Sequence, residues 1–122
     1  MIPLNVSAPF HCALMEPAQI RMKEALSDVM MKDPSVPLID NVSADVTQNG
    51  QDISALLVRQ VTGRVRWRES ILKMADQGVT TTIEIGAGKV LTGLSKRIVP
   101  GLEAFALNTP QDIEQWSVIS NQ

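Results

Sequence analysis

The chain of 122 residues contains no tyrosine, and its aromatics are Phe10, Phe105, Trp67 and Trp116 alone, 3% of the total. A base-stacking surface is not expected at that density. A net charge of −2 leaves no electrostatic footprint for nucleic acid. There is one cysteine, Cys12, so an intrachain disulfide is excluded and a reducing, cytoplasmic setting fits. One Cys and one His cannot build a zinc site without several carboxylates at suitable spacing. No apolar run approaches the length of a membrane-spanning helix, so no membrane association is expected. The first residues, Met1 to Phe10, lack the basic start and apolar stretch of a secretory leader. What is present, 44% hydrophobic and 20% charged residues, is the balance of one globular domain or part of one.

Strand and helix patterns alternate along the chain. Ile2–Val6 reads as a short strand, followed by a turn holding His11 and Cys12. A helix is expected from Leu14 to Val29, with Met22, Leu26, Val29 and Met30 on one face and Pro17 in its first turn. Val36–Val42 reads as a second strand. Asp52 is the expected N-cap of a helix over Ile53–Val61. Trp67, Ile71, Met74 and Ala75 mark a third helix, with Gly78 just past its end. Val79–Ile85 is rich in β-branched residues. Gly86-Ala87-Gly88 then turns the chain into a helix over Lys89–Ile98. Leu102–Leu107 reads as a last strand, and a short helix from Pro110 ends near Trp116. The pattern predicts an α/β fold with mostly parallel strands.

His11 is the only side chain with an ordinary pKa near neutrality. It stands where a strand meets a helix, the edge at which sites gather in parallel α/β sheets; a satisfied structural histidine is the competing reading. Cys12 is its neighbour in sequence, and adjacent side chains seldom point at each other, which argues for a structural thiol. Gly86-Ala87-Gly88-Lys89 is not a phosphate loop, because Ile83 and Val90 stand where a glycine and a hydroxyl residue are needed. The turn still implies helix N-terminal N–H groups, a weak anion site. No G-x-S-x-G elbow occurs; Gly93-Leu94-Ser95 has its first half, but Arg97 replaces the second glycine. Arg59, Arg64, Arg66 and Arg68 surround Trp67 and read either as a solvated face or as a patch for an acidic partner.

Particular strings carry more. Val6-Ser7-Ala8-Pro9-Phe10-His11-Cys12-Ala13-Leu14-Met15, with Pro17-Ala18, resembles the histidine segment of the bacterial malonyl-CoA:acyl carrier protein transacylases. Leu57-Val58-Arg59-Gln60-Val61 with Val65-Arg66-Trp67 resembles the next block of that family. Ala75-Asp76-Gln77-Gly78-Val79 and Glu84-Ile85-Gly86-Ala87-Gly88-Lys89-Val90-Leu91-Thr92-Gly93-Leu94 resemble the one after. The order agrees almost from end to end, and the combination is far more specific than any part. Ala87 departs from the proline usual in the family, and the arginines at 64, 66 and 68 exceed its pattern.

The resemblance implies that residues 1–122 form the C-terminal part of a malonyl/acyl transferase domain, a partial hydrolase-like three-layer core with a mostly parallel sheet. The acyl-serine elbow, the malonyl-binding arginine and the ferredoxin-like subdomain of that family are not among these residues. It implies that His11 is the catalytic histidine and that the main-chain carbonyl of Gln60 orients its ring. It further implies malonyl-CoA and phosphopantetheinylated acyl carrier protein as substrates in fatty-acid synthesis, with no other cofactor, and the missing N-terminal part of the domain as partner. Alone, the chain is expected to hold a base without a nucleophile. The competing reading is a non-catalytic module that binds carrier protein or another synthase component. An apolar sheet surface near Val6, Ile39 and Ile85 is expected to lie uncovered in the isolated chain.

Overall fold

The computed structural model describes residues 11–120; the strand expected over Ile2–Val6 lies outside them. The chain divides into two compact units between Ser70 and Ile71.

The first unit opens with a single 3₁₀ turn, Ala13–Met15, that leads into α1, Glu16–Ser27, with Pro17 in the first turn. The helix stops before Val29 and Met30. Ser27 Oγ donates to Glu24 O at 2.6 Å, and Val29 N–H to Leu26 O in a tight turn. The expected apolar face is therefore cut short: α1 buries no residue, and Val29 and Met30 are exposed. The strand expected over Val36–Val42 shrinks to β1, Leu38–Ile39, because the carboxylate of Asp40 folds the next residues into a turn. Its Oδ1 accepts from the N–H groups of Val42 and Ser43, at 2.8 and 2.7 Å. β1 pairs antiparallel with β2, Val46–Thr47.

The helix α2 spans Gly50–Gln60. Its N-cap is Asn49, not Asp52: the Asn49 side chain accepts from Gln51 N–H at 2.8 Å and Asp52 N–H at 3.3 Å. Asn and Asp cap equally well, so position decides, and Asn49 is the residue whose backbone is still extended. Asp52 falls in the first turn, where its charge suits the helix dipole. Gly50 is buried, and a Cβ there would run into the carbonyls of Met31 and Lys32, 2.7 Å from Lys32 O. Only glycine fits that approach.

Helix α3, Trp67–Asp76, spans the division and ends at Gly78, whose φ of +91° takes the left-handed conformation expected past a helix end. The second unit is β3 (Thr81–Ile85), α4 (Val90–Ile98), β4 (Glu103–Leu107) and α5 (Pro110–Ser120), the last running beyond the end expected near Trp116. β3 and β4 pair in parallel over five residue pairs, from Thr81–Glu103 to Ile85–Leu107, against two antiparallel pairs in the first unit. The fold is α/β with the longer pairing parallel. Leu102 and Ala104 are buried in this unit, but Ile85 is 77% exposed. Among the described residues no helix is long and apolar enough to cross a membrane.

Candidate active site

A helix leaves its last four carbonyls without partners inside the helix. At the end of α2 these groups organise the site. Arg59 O accepts from Gly63 N–H at 2.9 Å, an approach that glycine allows, because a Cβ at 63 would crowd that same oxygen. Val58 O accepts from Gln19 Nε2 at 3.1 Å, and the same amide reaches Thr62 Oγ1 at 3.1 Å. Gln60 O meets the His11 ring, with Nδ1 at 2.9 Å, across 49 residues of sequence. Gln19 thereby ties α1 to the end of α2 beside the histidine. Nothing in the sequence singled it out, since a polar contact between segments 39 residues apart leaves no periodic mark.

The contact fixes the chemistry of the ring. A carbonyl oxygen can only accept, so Nδ1 carries the proton. In the neutral imidazole, Nε2 then holds the lone pair and is the basic atom. His11 is exposed, and its φ of +58° puts a non-glycine residue in the left-handed region. Histidine enters that region more readily than most residues, and such conformations concentrate at functional sites. Cys12 follows it, half-buried, in extended backbone at the start of the 3₁₀ turn.

Gln60 also lines a cavity of about 180 Å³, walled by Leu38, Ile39, Ile53, Leu56 and Leu57 with Asn41. The Asn41 Oδ1 atom is buried without a hydrogen-bond partner. An acceptor left so costs about 1–3 kcal/mol until a donor reaches it.

The other sequence candidates separate from this site. The four arginines are not equivalent. Arg66 is a structural tie: its N–H donates to Asn41 O at 2.9 Å and its Nη1 to Ser43 O at 3.0 Å, while Nε lies 4.0 Å from Glu69. Arg64 lies 3.7 Å from the same Glu69 with its side chain 82% exposed, and Arg59 and Arg68 are exposed. Ser95 is buried inside α4, its Oγ donating to Leu91 O at 2.7 Å. That is no elbow.

The anion site expected at the glycine turn is already taken. Glu84 turns its carboxylate onto the start of α4, accepting from Leu91 N–H at 3.3 Å, Thr92 N–H at 3.0 Å and Thr92 Oγ at 2.9 Å. Desolvation pushes the Glu84 carboxyl up, but the bonds from Thr92 and Leu91 outweigh it and hold it below the usual range. The turn itself is fastened by Asn108, whose Nδ2 donates to Gly86 O and Gly88 O at 2.5 and 2.6 Å.

No family model matches the chain. Among curated proteins, the malonyl CoA-acyl carrier protein transacylase of Bacillus subtilis strain 168 is 50% identical over 113 residues, 93% of this chain and 36% of the relative. Among solved structures, the acyl-carrier-protein-S-malonyltransferase of Bartonella henselae superposes with a TM-score of 0.87 at 50% identity, covering 98% of this chain and 38% of its own. A malonyl-transacylase solved in complex with its type II PKS acyl-carrier protein superposes at 0.86 with 40% identity, over 99% of this chain and 38% of that one. The chain spans about a third of the length of the curated relatives it matches. It is thus recognised, in sequence and in fold, as a relative of the malonyl CoA-acyl carrier protein transacylases, its partial coverage consistent with their C-terminal portion.

Proposed function

We propose that this chain supplies the general base of a malonyl-CoA:acyl carrier protein transacylase. The observation that carries the reading is the 2.9 Å contact between His11 Nδ1 and Gln60 O. It orients the ring and leaves Nε2 basic without burying a second charge beside it. In this reading Nε2 takes the proton from a serine hydroxyl held by the complementary portion of the domain. The serine oxygen attacks the malonyl thioester carbonyl, a C–O bond forms, and the C–S bond to coenzyme A breaks. The imidazolium returns its proton to the departing thiolate. The second half runs in reverse with the phosphopantetheine thiol of an acyl carrier protein: Nε2 deprotonates the thiol, a C–S bond forms, the ester C–O bond breaks, and the proton goes back to serine. A carrier protein as partner is supported by the complex of a similar malonyl-transacylase with its own carrier. A reducing cytoplasmic setting, fatty-acid synthesis and the absence of any further cofactor belong to the same proposal.

The test is complementation. The 122-residue chain alone should form no malonyl ester detectable by intact mass, because none of its serines sits in an elbow. Mixed with the remaining portion of a homologous transacylase, it should support malonyl transfer. His11→Ala should then lower the restored rate by about 10²–10⁴-fold, the usual worth of a positioned base. Gln60→Ala should leave the rate within a few fold, roughly, because the partner atom is main-chain. A restored rate indifferent to His11→Ala would remove the proposal.

A second reading, a carrier-binding module without catalysis, draws on the exposed Arg59, Arg64 and Arg68. It requires carrier affinity in the isolated chain that weakens with salt over a Debye length of about 8–10 Å and falls on replacing these three by Gln. Carrier binding indifferent to both would leave them a solvated face.

A further inference from the structure

The His11 ring and the carbonyl that meets it stand on two segments that have to be held at a fixed distance. Their own bond is exposed. An exposed bond competes with water, so it contributes little toward holding the segments together. Gln19 follows His11 on the same segment, early in α1, and makes two half-buried bonds to the other. Its Nε2 reaches Val58 O and Thr62 Oγ1, each at 3.1 Å. These two residues flank Gln60 in sequence. Separated by one helical turn, they stand one above the other. The amide therefore spans the closing turn of α2 around the carbonyl that faces His11. At Val58 the main chain supplies a weak partner: the Val61 N–H lies 3.4 Å from Val58 O, beyond the ordinary range of about 2.7–3.2 Å. Helix ends held in that way fray.

The partners decide which amide atom faces them. A main-chain carbonyl accepts, so the nitrogen of the Gln19 amide faces Val58, and its two hydrogens serve the two acceptors. No N–H of that amide is left for a substrate, so Gln19 can act on the reaction only through the groups it holds. The ring contact needs its acceptor in place: an oxygen displaced by about 1 Å from its 2.9 Å position no longer makes a hydrogen bond. Water would then serve Nδ1 and Nε2 alike, and the neutral ring would exchange between its two tautomers. Resting on the functional reading above, we infer that Gln19 is a positioning residue. Its amide clamps the last turn of α2 so that Gln60 O keeps the His11 proton on Nδ1 and leaves Nε2 as the base.

The test reads the ring itself. His11 is the single histidine, so the imidazole nitrogen-15 shifts of the 122-residue chain belong to it alone. At about pH 8.5, above the ordinary histidine range, they report which nitrogen carries the proton. The parent should show mainly the Nδ1–H tautomer. Gln19→Met keeps side-chain length and helix propensity but has no N–H to donate. It should lower the ratio of the Nδ1–H to the Nε2–H form by about fivefold, the worth of one ordinary hydrogen bond. In the complementation mixture the same variant should lower kcat by about 10–100-fold with KM nearly unchanged. Combined with His11→Ala it should lower the rate no further, since Gln19 acts through the ring. If Gln19→Met fails to fold, Thr62→Val serves instead: it removes one of the two acceptors and should move the tautomers in the same direction, by less. The proposal is overturned by a parent ring without the Nδ1–H preference, by tautomers indifferent to both variants, or by a double variant in which the losses multiply. The two readings fail separately. A tautomer shift in a chain that never supports malonyl transfer keeps the clamp and removes the function. Transfer that depends on His11 while the tautomers ignore Gln19 keeps the function and removes the clamp.

Discussion

The unit up to Ser70 and the unit from Ile71 reach order by different routes. In the first, the strands are only two residues long, and side chains bond to main-chain atoms, near and distant. His11 holds Gln60 O, Gln19 holds Val58 O, Asp40 holds the turn at 42–43, and Arg66 holds Ser43 O. In the second, a five-residue parallel ladder and the helix that joins its strands make the frame, and side-chain bonds fasten the turn at 86–88 and the start of α4. A site that must place one atom of one ring is built in the first manner.

The largest effect expected from a single methyl group is at Gly50. Gly50→Ala sets a Cβ against the main chain at Met31 and Lys32, where no flexible side chain can yield. Overpacking of that kind costs about 1–3 kcal/mol, and a main-chain neighbour places it at the upper end. Denaturant unfolding should show the loss in the first unit. A silent Gly50→Ala would mean that this unit is more plastic than its long-range bonds imply.

Next is Asp40, which is buried and accepts from Val42 N–H, Ser43 N–H and Ser43 Oγ. Desolvation pushes its carboxyl up, but the bonds from Ser43 and Val42 outweigh it, so the native pKa is lowered. Those bonds contribute fully above the unfolded value of about 3.9 and are lost as pH falls through the lowered native value. Asp40→Ala should cost about 1.5–3 kcal/mol at neutral pH, and the difference from the parent should shrink on acidification below about pH 4. Melts at pH 7 and pH 3 with an unchanged difference would show that the carboxylate is not what holds the turn.

The smallest effect has the opposite sign. Gly93 lies in α4 with nothing within 4 Å of a built Cβ. Gly93→Ala should stabilise the second unit by about 0.5–1 kcal/mol through helix propensity, read as a rise in melting temperature. A loss instead would show that α4 needs that space, and would blur the contrast with Gly50.

The two units also differed in how far they could be read from sequence. The second was legible almost element by element, because Val79–Ile85 and Leu102–Leu107 are β-prone runs of strand length and glycines mark the turns between them. The first was legible in its helices and, among its described strands, only at Leu38–Ile39: nothing periodic distinguishes Val46–Thr47 from a loop, and its pairing is two residues long. Asp52 and Asn49 both suit the role of cap, and only backbone conformation separates them, so the sequence does not mark Asn49. The glycine turn looked open to an anion because the partner of its N–H groups, Glu84, comes from the preceding strand. The resemblance pairs His11 with Gln60; composition and periodicity alone reach only the histidine.

The atom that steadies the imidazole belongs to the peptide chain, so no substitution at Gln60 can delete it. What the contact depends on is a count. Helix α2 runs from its cap at Asn49 to Gln60, and each residue advances it by about 1.5 Å and turns it by about 100°. Inserting or removing one residue between these ends would swing a different carbonyl toward His11 and aim the original elsewhere. The position tolerant of replacement is thus intolerant of insertion and deletion, and the contact is set by the length of α2 more than by its lettering.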